Sequence, residues 1–231
     1  METGKKIAIL QSNYIPWKGY FDIINSVDEF IIYDDVQFTK NDWRNRNKIK
    51  TNQGIKWITI PVYNSINKKI RETKITNKKW NINHWNNLET NYSKAKHFVE
   101  FKDIIKELYL NCNSEYLSEI NFYFIQNIND ILGIKTKLSW SWDYNLVNGK
   151  TERLVDLCKQ SNATFYLSGP SAKNYINDSL FKNENIKLLW MDYSGYPEYN
   201  QLFPPFEHGV SILDLIFNEG KNANTFLKSF I

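Results

Sequence analysis

KIAILQSNYIPWKGYFDIINSVDEFIIYDD, residues 6–35, decides the fold. Residues 6–11 read as a buried strand, and Asn13 and Pro16 supply turn chemistry. Trp17, Tyr20, Phe21 and Ile24 then recur at helical spacing through residue 26. Residues 30–33 form a second apolar strand, closed by Asp34 and Asp35. Strand, helix and strand within about 30 residues make a βαβ unit, and hence a parallel sheet. Its right-handed crossover sets the loop after the first strand beside the loop after the second, at the carboxyl edge where open α/β sheets bind ligands.

Outward from this unit, residues 47–76 change pattern. IKWITIPV and KIRETKIT alternate apolar and polar residues, with turns at 52–54 and 64–67, which predicts an antiparallel insertion. Helical periodicity follows over about 79–133, broken near Ser93 and again at 111–114. A second α/β stretch has strands at 135–140, 163–167 and 186–191, a helix capped by Thr151 that runs to Ser161, and the turn Ser168-Gly169-Pro170. Residues 211–217 and 225–230 read as amphipathic helices. Neither an internal repeat nor a low-complexity linker interrupts the chain. The expectation is one α/β domain over residues 1–231, with a mostly parallel, Rossmann-like sheet, an antiparallel insertion and a helical segment.

The chain has 231 residues, 42% of them hydrophobic, which is enough for a substantial core and rules out a disordered tail. Its 29 basic and 25 acidic residues are interleaved, so the net charge of +4 is too mild to predict duplex DNA binding. No run of 18 apolar residues occurs, and METGKK leads into IAIL without a signal peptide's apolar stretch, so a cytoplasmic chain without membrane insertion is expected. Cys112 and Cys158 form no CxxC pair and His84, His97 and His208 lie far apart, so no metal-ligand spacing appears. The eight Trp among 16% aromatic residues suit stacking on sugars and bases as well as core packing. The oligomeric state is left open.

Candidate site residues cluster in four places. The first loop offers Gln11, Asn13, Tyr14 and Trp17, with Gly19 at the helix start allowing a phosphate or sugar close to backbone N–H groups. Asp34 and Asp35 are candidate bases. Past them, Lys40, Trp43, Arg44, Asn45 and Arg46 combine guanidinium forks with an aromatic ring and an amide. The second strand-to-helix turn carries Ser168, Gly169, Ser171 as N-cap and Lys173 in the first turn. His84 lies on a helix and is a third candidate base. Each cluster also has a plain structural account as a turn, a cap or a neutralised charge pair. Ser211, His208 and Asp214 do not form a hydrolase set, because no GxSxG elbow is present.

Taken together and in order, QSNYIPWKGYFDII, YDDVQFTKNDWRNRNKIK with WITIPV, His84-Trp85, YLSGPSAKNYI and SILDLIFNEG resemble the WbqC-like family of bacterial O-antigen and surface-polysaccharide cluster proteins. The resemblance covers nearly the whole chain, with Ser12 standing where the family commonly has Pro. It implies a transferase acting on a nucleotide-linked amino sugar, by acylation or aminoacylation (for example glycyl transfer) of the sugar amine from an acyl or aminoacyl donor. In that reading Asp34, Asp35 or His84 takes the amine proton. Gln11 and Asn13 orient the sugar or oxyanion, and Lys40, Arg44, Arg46 and Lys173 hold phosphate. A looser likeness to the HIGH-type nucleotidyltransferase (HUP-like) fold implies an ATP- and Mg²⁺-using alternative with Asp34 or Asp35 on the metal, although both HIGH histidines and a KMSKS-like sequence are missing. A non-catalytic nucleotide-sugar-binding or assembly protein is the third reading.

Overall fold

The computed structural model describes residues 4–65 and 67–230, which form a five-stranded parallel sheet, a two-stranded hairpin and helices on both sheet faces. Residues 1–3, residue 66 of the 64–67 turn and residue 231 lie outside this description. Strand β1 (Lys6–Leu10) leads through helix α1 (Lys18–Asn25) to β2 (Glu29–Ile32), paired in parallel from Ile7↔Glu29 to Leu10↔Ile32. The hairpin β3 (Arg46–Thr51) and β4 (Gly54–Thr59) follows, turning where Gly54 takes φ +101°. Helices α2 (Trp80–Tyr92), α3 (Phe98–Leu110) and α4 (Leu117–Leu132) then return the chain to β5 (Lys137–Trp140). Helix α5 (Thr151–Gln160), β6 (Phe165–Ser168), α6 (Asp178–Asn183), β7 (Lys187–Trp190) and α7 (Ile212–Glu219) complete the order.

The sheet runs β5–β2–β1–β6–β7 with every pairing parallel, a Rossmann-type arrangement in which the strand order reverses between β1 and β6. Period-two alternation divides the strands between two cores. Ala8, Phe30 and Ile32 pack with α1, the α2–α4 segment and α7, whereas Ile7, Ile9 and Ile31 pack with α5 and α6. Each fully buried Ile or Phe contributes roughly 1.5–3 kcal/mol, so a one-residue slip of β1 would forfeit both faces at once. No helix among the described residues is long and apolar enough to cross a membrane.

Four local expectations are corrected. KIRETKIT is no strand: Ile70–Glu72 is a 3-10 turn, with only isolated bridges at Lys69, Lys74 and Ile75. Side chains bonding to the backbone favour the turn, since Glu72 accepts from the Lys69 N–H at 3.0 Å and the Thr73 hydroxyl donates to the Lys69 carbonyl at 3.1 Å. Thr151 does not cap α5 but accepts at 3.3 Å from the Asn177 N–H. Ser171 lies inside a 3-10 turn, Pro170–Asn174, preceded by Gly169, and makes no cap. Residues 225–230 belong to 3-10 turns, because Gly220 at φ +59° ends α7 against His97, where a side chain would collide.

Candidate functional site

The crossover through α1 and the return through α5 leave the sheet on opposite faces, so the loops following β1 and β6 part and open a crevice at the carboxyl edge. A cavity of about 880 Å³ lies there, near the upper end for small-ligand sites. Gln11 and Asn13 border it from the β1 loop, and Ser168, Gly169 and Ser171 from the β6 loop. Lys150 and Arg153 enter from the start of α5 and Arg44 from the approach to β3, while no carboxylate lines the cavity among the described residues. The Arg44 guanidinium donates to the side-chain oxygens of both Gln11 and Asn13, which orients their amide NH₂ groups as remaining donors. Arg153 donates to the Tyr33 hydroxyl at 3.2 Å. Burial pushes the Tyr33 and Tyr175 phenols up and Tyr193 to about 12, so these hydroxyls stay protonated at neutral pH.

A second cavity of about 620 Å³ adjoins the first, and the two share Asn13, Trp43 and Tyr193. Pro16, Trp17, Tyr196 and His208 complete much of its wall. Burial first, and then the charge of Lys18, lowers the His208 imidazole below its ordinary value, so it is neutral at pH 7. Lys18 itself is lowered to about 8 by burial; its ammonium donates to the Pro197 carbonyl at 2.6 Å and sits 5.2–5.7 Å from the Tyr196, Tyr199 and Phe206 rings.

The β1 loop is braced from beneath. The Ser12 N–H donates to Asp34 Oδ1 at 2.8 Å, and the Ser118 hydroxyl of α4 donates to Asp34 Oδ2. One turn further along α4, Asn121 Nδ2 donates to Ser12 Oγ at 2.9 Å and to the Arg44 carbonyl at 2.8 Å. Asn47 of β3 donates to the carbonyls of Tyr14 and Ile15 at 3.0 and 2.8 Å. These bonds hold Ile15 at φ +36°, a left-handed value that strains a β-branched residue by about 1–3 kcal/mol and that surrounding structure must impose. The strained residue separates Asn13, which borders both cavities, from Pro16 and Trp17, which border only the small one.

A family model, the WbqC-like protein family, matches residues 11–226, a span that begins at Gln11 and takes in Arg44, Lys150, Arg153 and His208. The chain belongs to the WbqC-like family. It is 53% identical over 226 residues to Rv1507c, an uncharacterized protein of Mycobacterium tuberculosis, covering 97% of this chain and 98% of that one. No solved structure matches it.

In this WbqC-like chain the sequence-predicted residues divide. Gln11, Asn13, Trp43, Arg44, Ser168, Gly169 and Ser171 line the large cavity, and Trp17 lines the small one. The remaining candidates line neither. Asp34 is fully buried, its carboxyl raised by burial against the lowering hydrogen bonds of Ser118 and Ser12. Asp35 projects to the opposite side, as successive residues of extended chain do, pairing with Lys69 at 3.1 Å and Arg71 at 3.2 Å and accepting from the Ser141 hydroxyl at 2.9 Å. Neither carboxylate borders the large or the small cavity, so neither residue fits the Mg²⁺ role of the nucleotidyl-transfer alternative at these sites. His84 is buried and lowered to about 4 by burial; its Nε2–H donates to the Thr59 carbonyl at 3.2 Å and Nδ1 accepts from the Tyr14 hydroxyl at 2.8 Å, which in turn accepts from Tyr109.

Tyr14 is thereby a core residue. Gly19 makes room for the Trp17 ring, with which a Cβ would collide, rather than for a phosphate. Lys40 borders a separate cavity with Phe38 and Tyr63. Asn45 is buried and donates to the Ile60 carbonyl at 2.9 Å. Arg46 stacks 4.2 Å over Trp57, and Lys173 lies 5.4 Å from the Trp190 ring on β7.

Lys150, Arg153 and Tyr193 of this WbqC-like chain are not among the sequence candidates, and His208 is considered there only as a metal ligand or hydrolase-set member. One signal marks the two cations: in GKTER they stand three apart at a helix start, which puts them on one face. Tyr193 and His208 lie in irregular chain, where no periodicity predicts direction.

Proposed function

We propose that this protein is a transferase that binds a nucleotide-linked amino sugar in the large cavity and acylates or aminoacylates its amine, in the cytoplasm, during assembly of a bacterial surface polysaccharide such as O-antigen. One observation carries the reading: Arg44, Lys150 and Arg153 converge on a crevice at the topological switch point that no carboxylate borders. Such a field selects a polyanion, and the guanidinium forks match diphosphate oxygens. The same field disfavours a bound ammonium, so the sugar amine is held in its neutral, nucleophilic form. As the amine attacks the donor's carbonyl, the C–N bond forms, the bond to the donor's oxygen or sulfur leaving group breaks, and the amine proton leaves with that group. Arg44 and the amides of Gln11 and Asn13 are donors at hand for the developing oxyanion. Asp34, Asp35 and His84 act here as positioning groups, since none borders the cavity.

The same lack of a carboxylate or imidazole in the large cavity favours a second reading, a non-catalytic nucleotide-sugar-binding protein. Incubation with nucleotide-linked amino sugars and thioester or aminoacyl-ester donors, read by mass spectrometry, separates the two. The transferase yields the N-acylated sugar nucleotide, and Arg153→Ala lowers its formation at fixed substrate. Ligand-dependent melting without product selects the binding protein. A protein that neither melts higher nor forms product with any of these ligands refutes both.

A further inference from the structure

The small cavity has no occupant in the reading above, and its chemistry differs from that of its neighbour. Trp17 meets Tyr193 edge-on at 5.4 Å and Tyr196 at 5.7 Å, so the rings brace one another. Trp43, the ring shared with the large cavity, is 38% exposed and tilts against Trp57 at 5.1 Å. Hydrogen-bonding groups on this wall are few. The Asn47 amide is fully engaged, by Tyr14, Ile15 and the Lys48 N–H. Asn13 has its oxygen on Arg44, which leaves its NH₂, and His208 Nδ1 is buried without a partner among the described residues. No carboxylate, lysine or arginine lines the cavity among the described residues.

Flat apolar faces with a few neutral polar groups, among them the Asn13 amide, the Tyr193 hydroxyl and the His208 imidazole, suit an uncharged heteroaromatic ring better than the alternatives. An acyl chain has no use for these polar groups, and a charged group would lack a counter-ion. The shared border of Asn13, Trp43 and Tyr193 also lets one ligand reach from the aromatic cavity to Arg44. We propose that the small cavity is a nucleobase subsite, with the base stacked against Trp43 while its diphosphate lies at Arg44 and Arg153. This assignment rests on the nucleotide-sugar reading and specifies which end of the ligand lies where.

Calorimetric titration of the full chain with UDP, CDP, GDP, dTDP and inorganic pyrophosphate tests it. At least one nucleoside diphosphate binds about tenfold or more tighter than pyrophosphate, the scale expected of base–aromatic stacking. Trp43→Ala removes most of that advantage while leaving pyrophosphate affinity in place, and Trp43→Phe, which keeps a ring, retains most of it. Arg153→Ala weakens nucleotides and pyrophosphate alike. Nucleoside diphosphates that bind no tighter than pyrophosphate, or an advantage that survives Trp43→Ala, overturn the subsite while the cationic cleft stands. Failure of pyrophosphate and every nucleotide to bind overturns the cleft and the subsite together.

Discussion

The carboxyl edge of the sheet has two halves built from similar side chains and put to different ends. On the β2 side Asp34, Asp35, Ser12, Ser118 and Ser141 bond to one another and to the cations Lys69 and Arg71, and neither carboxylate borders the large or the small cavity. On the β6 side Arg44, Lys150 and Arg153 face a cavity of about 880 Å³ that no carboxylate lines among the described residues, although Arg44 has Asp42 at 3.8 Å behind it. A buried charge stays only where it is paired, so the first half is structure, whereas three cations at an open crevice lined by no carboxylate favour an anionic ligand.

The largest effect that could break this contrast is at Asp34. Asp34→Ala strips two donors of their buried acceptor and is expected to lower unfolding free energy by about 2–4 kcal/mol in denaturant titration. Asp34→Asn can accept from Ser12 and donate to Ser118, and should remain within about 1 kcal/mol of wild type. Because burial raises the Asp34 carboxyl, its contribution is complete below the ordinary carboxylate value and is lost as pH rises through the raised one. The Asn variant is free of that loss and gains on wild type as pH climbs. A folded Asp34→Asn protein that binds ligand normally yet forms no product would make Asp34 a chemical participant and dissolve the contrast.

Arg44→Ala is next. It should weaken pyrophosphate binding about 10- to 100-fold, as expected of charge-assisted hydrogen bonds, with a much smaller relative effect on the melting temperature. A fall in melting temperature with unchanged affinity would move Arg44 to the structural half.

Least affected at neutral pH is a comparison within β2 itself. Glu29, at the opposite end of the strand from Asp34, is equally buried; burial would raise it, but Lys5, Ser139, Tyr144 and Lys137 hold it down at about 2. Its stabilisation is present above the ordinary glutamate value and fades as pH falls from about 4.5 toward 2, opposite in sign to Asp34. Glu29→Gln should flatten the acid limb of a stability–pH curve. An unaltered limb would show that the lysines contribute nothing there.

Much of the fold was legible because the βαβ repeat writes itself in hydrophobic period: residues 6–35 announced β1, α1 and β2, and the breaks near Ser93 and 111–114 separated α2, α3 and α4. The 70–75 segment misled because Ile70, Thr73 and Ile75 are buried at a spacing that mixes helical and strand periods. For the site, Gln11, Asn13 and Ser168 were visible as polar groups at the ends of β1 and β6, the position where a parallel sheet must present them, and Arg44 as a guanidinium fork in the chain leading to β3.

Sequence alone determined the parallel sheet, its carboxyl edge as the place to look, and the family, since these follow from local periodicity and ordered motifs. Only the tertiary structure decided which side of β1 opens. That depends on β6 joining the sheet beside β1 rather than beyond β5, a pairing between residues more than 150 positions apart that no local pattern encodes. The same long-range packing brought Lys150 and Arg153 to Arg44 and turned the conspicuous acidic pair inward, where its charges answer the protein itself.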